Sequence, residues 1–235
     1  EGCEVEFGRG KAYPPIEFAL SDGTRCLLSG KIDRLDGTFD EAGTRFFRVI
    51  DYKTGSAEFS YTDLYYGLKL QLPLYLAAVA AADDAAHRAL PAGFYYLPVK
   101  TPVLEEGLSG EALLKEVQKA FRLRGVSLKN AELLEAGGGP SVAPEKGTGV
   151  LDPEDFSAVA EFARRKAAQT AEAVRTGRAE TAPYRKSKRD TACARCDYAS
   201  VCGFDPTFGG CTYRSVRTVK ADAFLEEARH ETVDE

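Results

Sequence analysis

The chain has no methionine and begins at Glu1, so it is expected to be a part of a longer polypeptide. It has no run of about 18 apolar residues or more, which excludes a membrane-spanning helix, and no membrane is expected among its partners. Its first residues lack the basic stretch followed by an apolar one that marks a secretory signal, and a reducing, cytoplasmic setting is expected. Cysteine is scarce: six in 235 residues, too few and too unevenly placed for a disulfide scaffold, which turns attention to metal. Positive charge is in deficit, with 31 Lys and Arg against 36 Asp and Glu, so a protein that merely coats nucleic acid is disfavoured. An enzyme acting on nucleic acid is not disfavoured, because a metal-dependent site needs carboxylates of its own.

What is present is enough for a real core, in one large domain or two small ones. The local charge balance differs from the global one. Between residues 164 and 189 lie nine Lys and Arg, ending in Arg185, Lys186, Lys188 and Arg189, against Glu172 and Glu180. This stretch is a candidate track for phosphates, its alternative being a solvated helix face.

The runs "IEFAL" and "RCLLSGKIDRL" flank "SDGT", an Asp-Gly signal for a hairpin. With "RFFRVIDYK" they predict a three-stranded meander. "YTDLYYGLKLQLPLYLAAVAAADDAA" reads as one long buried helix, kinked by Pro73 unless the helix starts later and Pro73 lies in its first turn. A fourth strand at 92–99, a helix near 110–124 and a mobile glycine-rich loop over 135–149 follow. Next comes a helix with Asp152 as N-cap, Pro153 at its first position and Gly177 as its stop. The fold class expected is α/β, a mixed central sheet flanked by helices. Residues 1–190 would form the core with a helical insertion, and 191–235 a cysteine-containing segment packed on it.

The chemistry centres on "VIDYKTG". Strand side chains alternate, so Asp51 and Lys53 project from one face, roughly 6 to 7 Å apart along the strand. Asp33, in "GKIDRLDG", can be brought beside Asp51 by strand pairing. Two carboxylates and a lysine on one face suit a hard cation such as Mg²⁺, which keeps several waters and takes up substrate phosphate. Gln71 lies among leucines and tyrosines, where an unpartnered amide would cost about 1 to 3 kcal/mol, so it is expected to return to the site.

The order Gly30–Asp33, Asp51–Gly55 and then "YYGLKLQLPLY" resembles the core of the PD-(D/E)XK nucleases, specifically the RecB-type subgroup. The resemblance implies a restriction-endonuclease-like fold and a Mg²⁺- or Mn²⁺-dependent deoxyribonuclease acting as an exonuclease. It implies Asp33, Asp51 and the Tyr52 carbonyl as metal ligands, Lys53 as the catalytic lysine, and Gln71 and Tyr75 as residues that help build the site. The subgroup adds a His or Glu from a helix before the first strand, and here that residue is expected upstream of the chain.

Cys193, Cys196 and Cys202 form a C-x₂-C-x₅-C triplet after the basic stretch. Spacing alone leaves zinc and an iron–sulfur cluster both open, each wanting a fourth ligand. The ending "CARCDYASVCGFD" is similar to that of nuclease domains in AddB-type helicase–nuclease subunits. That resemblance implies a [4Fe–4S] cluster in the longer protein, its fourth cysteine outside this chain, so that within it the cluster would be incomplete or absent and the segment poorly anchored or closed by a disulfide. It also implies DNA and an AddA-like motor subunit as partners in double-strand break repair. A free-standing RecB-type or CRISPR-associated exonuclease is the alternative enzyme reading, and a catalytically silent DNA-binding or structural module the alternative non-enzyme one.

Overall fold

The computed structural model describes residues 2–55, 58–82, 89–104, 106–130, 133, 144, 149–178 and 180–233. Strands β1 (Gly2–Phe7), β2 (Ile16–Ala19), β3 (Arg25–Leu28), β4 (Gly30–Phe39) and β5 (Arg45–Lys53) precede helices α1 (Tyr61–Tyr65) and α2 (Gln71–Ala80). Then come β6 (Leu90–Pro98), α3 (Gly110–Ala120), β7 (Arg124–Leu128), β8 (Val150–Leu151) and the long helix α4 (Pro153–Arg175). The C-terminal part holds β9 (Tyr184–Arg185), a 3₁₀ turn (Ala192–Arg195), the single turn α5 (Ala199–Cys202), β10 (Arg214–Ser215) and α6 (Ala221–Val233).

Six strands form one mixed sheet in the order β1-β4-β5-β6-β7-β8. β4 pairs antiparallel with both β1 and β5, β5 runs parallel to β6, and β6 pairs antiparallel with β7. The parallel β5–β6 step needs a crossover, and α1 and α2 supply it. Leu72, Leu76 and Val79 of α2, with Phe156, Val159 and Phe162 of α4, bury against Phe47, Val49 and Phe94 of the central strands. Phe224 of α6 closes this core, its ring 4.8 Å from that of Phe162. A smaller cluster of Ile50, Tyr95 and Leu123 forms a separate apolar group.

The "SDGT" hairpin joins β2 and β3, pairing Ile16 with Leu28 and Ala19 with Arg25. The expected meander is corrected, however. "RCLLSGKIDRL" breaks at Ser29 into β3 and β4, which belong to different sheets, and β4 takes β1 as its second neighbour. A Cβ at Gly30 would stand 2.8 Å from the Phe7 ring, so the chain crosses β1 there only without a side chain. The expected single long helix is two. Gly67, at φ 71°, supplies the left-handed turn between them, and Pro73 falls in the first turn of α2. α4 starts and stops as expected, with Asp152 as N-cap, Pro153 leading and Gly177 at φ 69° beyond the end. Apart from Pro144 and Gly149, the glycine-rich loop lies outside the described residues.

Candidate active site

The face of β5 that sends Phe47 and Val49 into the main core continues, by strand parity, as Asp51 and Lys53. Asp51 is therefore drawn in with its apolar neighbours and is only 2% exposed. The β4–β5 ladder pairs Leu35 with Val49 and Arg34 with Ile50. One step further, the same register sets Asp33 opposite Asp51, and residues directly opposite in an antiparallel pair project from one face. There the side chain of Asp33 replaces the ladder, its Oδ2 accepting the Tyr52 amide at 2.9 Å.

Lys53 closes the third side. Its Nζ lies 2.5 Å from Asp51 Oδ2 and donates to Gln71 Oε1 at 3.2 Å. Gln71 Nε2 in turn donates to the Tyr75 hydroxyl at 2.9 Å. The Lys53 ammonium also sits 5.3 Å from the centre of the Tyr96 ring. One expectation fails here. Gln71 is exposed at the start of α2 rather than buried among leucines, so its engagement comes from position and not from desolvation.

Burial raises the pKa of Asp51 above the ordinary carboxylate value; Lys53 pulls it down, and the charge of Asp33 pushes it up again. The Lys53 contact is off the hydrogen-bonding direction, which leaves the buried Asp51 Oδ2 without a directed donor. A buried, anionic, under-bonded oxygen beside a second carboxylate is the environment a hard cation relieves. Asp33, Asp51 and the Tyr52 carbonyl offer an all-oxygen set that fits Mg²⁺ or Mn²⁺, with water and phosphate filling the remaining positions.

The basic stretch is largely engaged within the chain. Arg164 pairs with Glu161 at 3.5 Å, Arg175 with Asp22 at 3.0 Å and Arg178 with Glu180 at 2.9 Å, while Lys166 lies over the Tyr65 and Phe162 rings. Among the four residues singled out as a phosphate track, Arg185 lies 5.0 Å over the Tyr213 ring and Lys186 pairs with Asp63 at 2.6 Å. Lys188 and Arg189 stand exposed in the turn that follows.

Cys193, Cys196 and Cys202 are free thiols, as are Cys3, Cys26 and Cys211, and the expected Cys196–Cys202 disulfide is not formed. The 3₁₀ turn brings the Cys196 amide to the Cys193 carbonyl at 3.3 Å. Among the described residues, no three or more His, Cys, Asp or Glu side chains converge as metal ligands. The three thiols as arranged here do not fit a cluster. The segment is nevertheless anchored, contrary to expectation: Phe204 packs edge-on against Tyr213, and β9 pairs with β10.

Sequence reasoning missed Asp63. An acid three residues after Ser60 looks like an ordinary first-turn helix residue, and its amide does bond the Ser60 hydroxyl at 3.2 Å. Its carboxylate, though, is buried between Lys69 Nζ at 3.3 Å and Lys186 Nζ at 2.6 Å. Nothing in the local pattern signals a partner 123 positions away.

The family profile of the PD-(D/E)XK nuclease superfamily matches residues 1–203. The chain is 32% identical over 248 residues to the B subunit of the ATP-dependent helicase/deoxyribonuclease of Alkaliphilus metalliredigens, a match that covers 98% of the chain and 22% of that protein. The corresponding protein of Caldanaerobacter subterraneus is 35% identical over 92% of the chain and 20% of its own length. That of Clostridium tetani is 33% identical over 97% and 21%. The chain thus spans about a fifth of the length of these curated relatives.

Proposed function

This chain belongs to the PD-(D/E)XK nuclease superfamily, and from that premise we propose that it is the divalent-metal-dependent deoxyribonuclease domain of an AddB-like helicase–nuclease subunit. In this reading residues 1–190 are the nuclease core and 191–235 pack upon it. The observation that carries the reading is the buried, under-bonded Asp51 carboxylate, flanked by Asp33 and Lys53.

Asp33, Asp51 and the Tyr52 carbonyl would hold Mg²⁺ or Mn²⁺. A divalent cation bound there supplies charge neutralisation at the phosphoryl group and makes an attacking water more acidic. Asp51, held rigid by its burial in β5, and Asp33, tied to the Tyr52 amide, fix the position of the scissile phosphate. Lys53 directs its ammonium at the same space. There it orients the attacking water and stabilises the charge that builds on the phosphoryl oxygens. Gln71 keeps Lys53 from folding wholly onto Asp51, and Tyr75 holds Gln71. Hydrolysis breaks the P–O bond to the leaving sugar oxygen, which leaves with a proton ultimately drawn from solvent.

The relatives' name and the share of each that this chain covers support a setting beside an AddA-like motor, in the cytoplasm, with one DNA strand delivered to the site and degraded exonucleolytically during double-strand break repair. For that longer protein we also propose a [4Fe–4S] cluster on Cys193, Cys196 and Cys202, its fourth thiolate coming from outside residues 1–235 and its formation drawing the three thiols together. Iron and sulfide near four each per anaerobically purified full-length protein would support this, and one zinc in their place would refute it. The test of the nuclease reading is Asp51→Ala in the full-length protein. It should abolish Mg²⁺-dependent DNA degradation while DNA binding persists; degradation at the wild-type rate would end the assignment.

A further inference from the structure

Asp63 holds two lysines from distant parts of the chain. Lys69 comes from the loop two residues before Gln71, and Lys186 from the basic run beyond α4. Its neighbours bind the same C-terminal stretch: Thr62 Oγ1 donates to the Val219 carbonyl at 3.2 Å and accepts the Val219 amide at 3.0 Å. The Tyr66 hydroxyl accepts the Arg217 amide at 3.3 Å. Helix α1 is thus a joint. On one side it continues into Lys69 and Gln71; on the other it grips residues 186–219.

Beside this joint lies a cavity of about 930 Å³, with Lys69, Lys186, Arg189 and Arg195 on its walls and Tyr184 and Phe59 as its rings. It adjoins the carboxylate site. Burial pushes the Tyr96 phenol up to about 12, with the Asp51 and Asp63 charges both adding to the shift, so Tyr96 lies within reach of both acids. Four cations from three separate segments and two aromatic faces, one residue away from a candidate phosphodiester-cleaving site, match the chemistry of a single nucleic-acid strand: charge for its phosphates, rings for its bases.

We propose that this cavity is a subsite for the phosphate backbone of the DNA strand, and that Asp63 is the positioning residue that sets Lys69 and Lys186 on its wall. The proposal rests on the nuclease reading for the identity of the ligand. Asp63 itself touches no substrate. It fixes where two ammonium groups stand, so the strand is registered against Asp33 and Asp51 by a carboxylate that would, as a simple charge, repel it.

That opposition of sign makes the test decisive. Binding of a short fluorescein-labelled single-stranded oligonucleotide to the 235-residue chain is measured in EDTA across a salt series, for wild type, Asp63→Asn, Lys186→Gln and Asp63→Asn/Lys186→Gln. If Asp63 acts only through its charge, removing it tightens binding. If it positions the lysines, Asp63→Asn binds several-fold more weakly, and the slope of log K against log salt flattens by about 0.7 for each phosphate that no longer meets a cation. The double variant should then fall short of the sum of the single effects, because the two residues act as one unit. Hydrogen exchange at the Val219 and Arg217 amides shows whether the joint has merely come apart. If Asp63→Asn tightens binding, leaves it and the salt slope unchanged, or unfolds the segment while Lys186→Gln has no effect on binding, the proposal is overturned. Asp51→Asn, run in parallel with Mg²⁺, separates the two claims: a chain that cuts nothing yet loses strand affinity as described keeps the subsite and loses the nuclease reading.

Discussion

The carboxylate face and the C-terminal strap, residues 180–220, both present charges to the same substrate but hold them by different means. On the sheet, Asp33, Asp51 and Lys53 are continuations of β4 and β5, whose other residues, Leu35, Phe47 and Val49, are among the most buried in the chain. Their placement follows from the packing of the core. The strap has almost no core of its own: Tyr198 and Val201 are largely exposed, and Cys196 and Cys202 lie at the surface. Its basic residues are placed by a few directed bonds to α1 and by rings such as Tyr213 under Arg185. A charge carried on a buried strand is fixed by the fold; one carried on a thin segment is fixed only by whatever partner the segment finds.

The comparison breaks most visibly if chemistry on the two sides responds alike. Lys53→Ala should lower kcat by about 10²- to 10³-fold, as expected for removal of one preorganised electrostatic group, with little change in KM. Strap substitutions such as Lys188→Ala should instead raise KM and leave kcat near wild type. Steady-state cleavage kinetics on a single-stranded substrate distinguish the two. Gln71→Ala, which acts through Lys53, should cost about 10- to 100-fold in kcat, the usual range for a residue that orients a functional group rather than touching substrate.

Stability sharpens the same contrast. Phe162→Ala removes a ring buried between Phe224 and Tyr65 and should cost about 3–5 kcal/mol in urea unfolding. Val201→Ala, at a side chain 84% exposed, should change stability by less than about 0.5 kcal/mol. A large loss at Val201 would mean that the strap is packed far more tightly than its exposure indicates. Between these lies a metal effect confined to the sheet. Saturating Mg²⁺ at about a hundred times its Kd should stabilise the wild-type chain by about 2.7 kcal/mol, and Asp33→Asn or Asp51→Asn should abolish the increment. Cys196→Ser should leave it untouched.

The same contrast explains what could be read in the sequence. D-x-K on an apolar strand, G-x-x-D one strand earlier and Q-x-x-x-Y at a helix start are local patterns, and local geometry is enough to place them. Gly30 is intelligible only once the Phe7 ring is seen crossing it, and Phe7 belongs to β1, a strand whose exposed edge residues Cys3 and Glu4 blur its alternation. The helix break at Gly67 was hidden because Leu68 and Leu70 continue the apolar pattern through it. β7, at five residues, offered too short a run to separate from the helix before it. Asp63 was illegible for the most physical reason: its role is defined by Lys186, and only the folded chain brings them together.

The central claim is that β4 and β5 converge two carboxylates on one divalent cation, and diffraction from crystals soaked in Mn²⁺ tests it most directly. An anomalous peak about 2.1 Å from both the Asp33 and Asp51 carboxylates, with the Tyr52 carbonyl in its shell and the Lys53 ammonium displaced from Asp51 Oδ2, is the expected result. Mn²⁺ bound elsewhere, with Asp33 and Asp51 left uncoordinated and Lys53 still seated on Asp51, would contradict it.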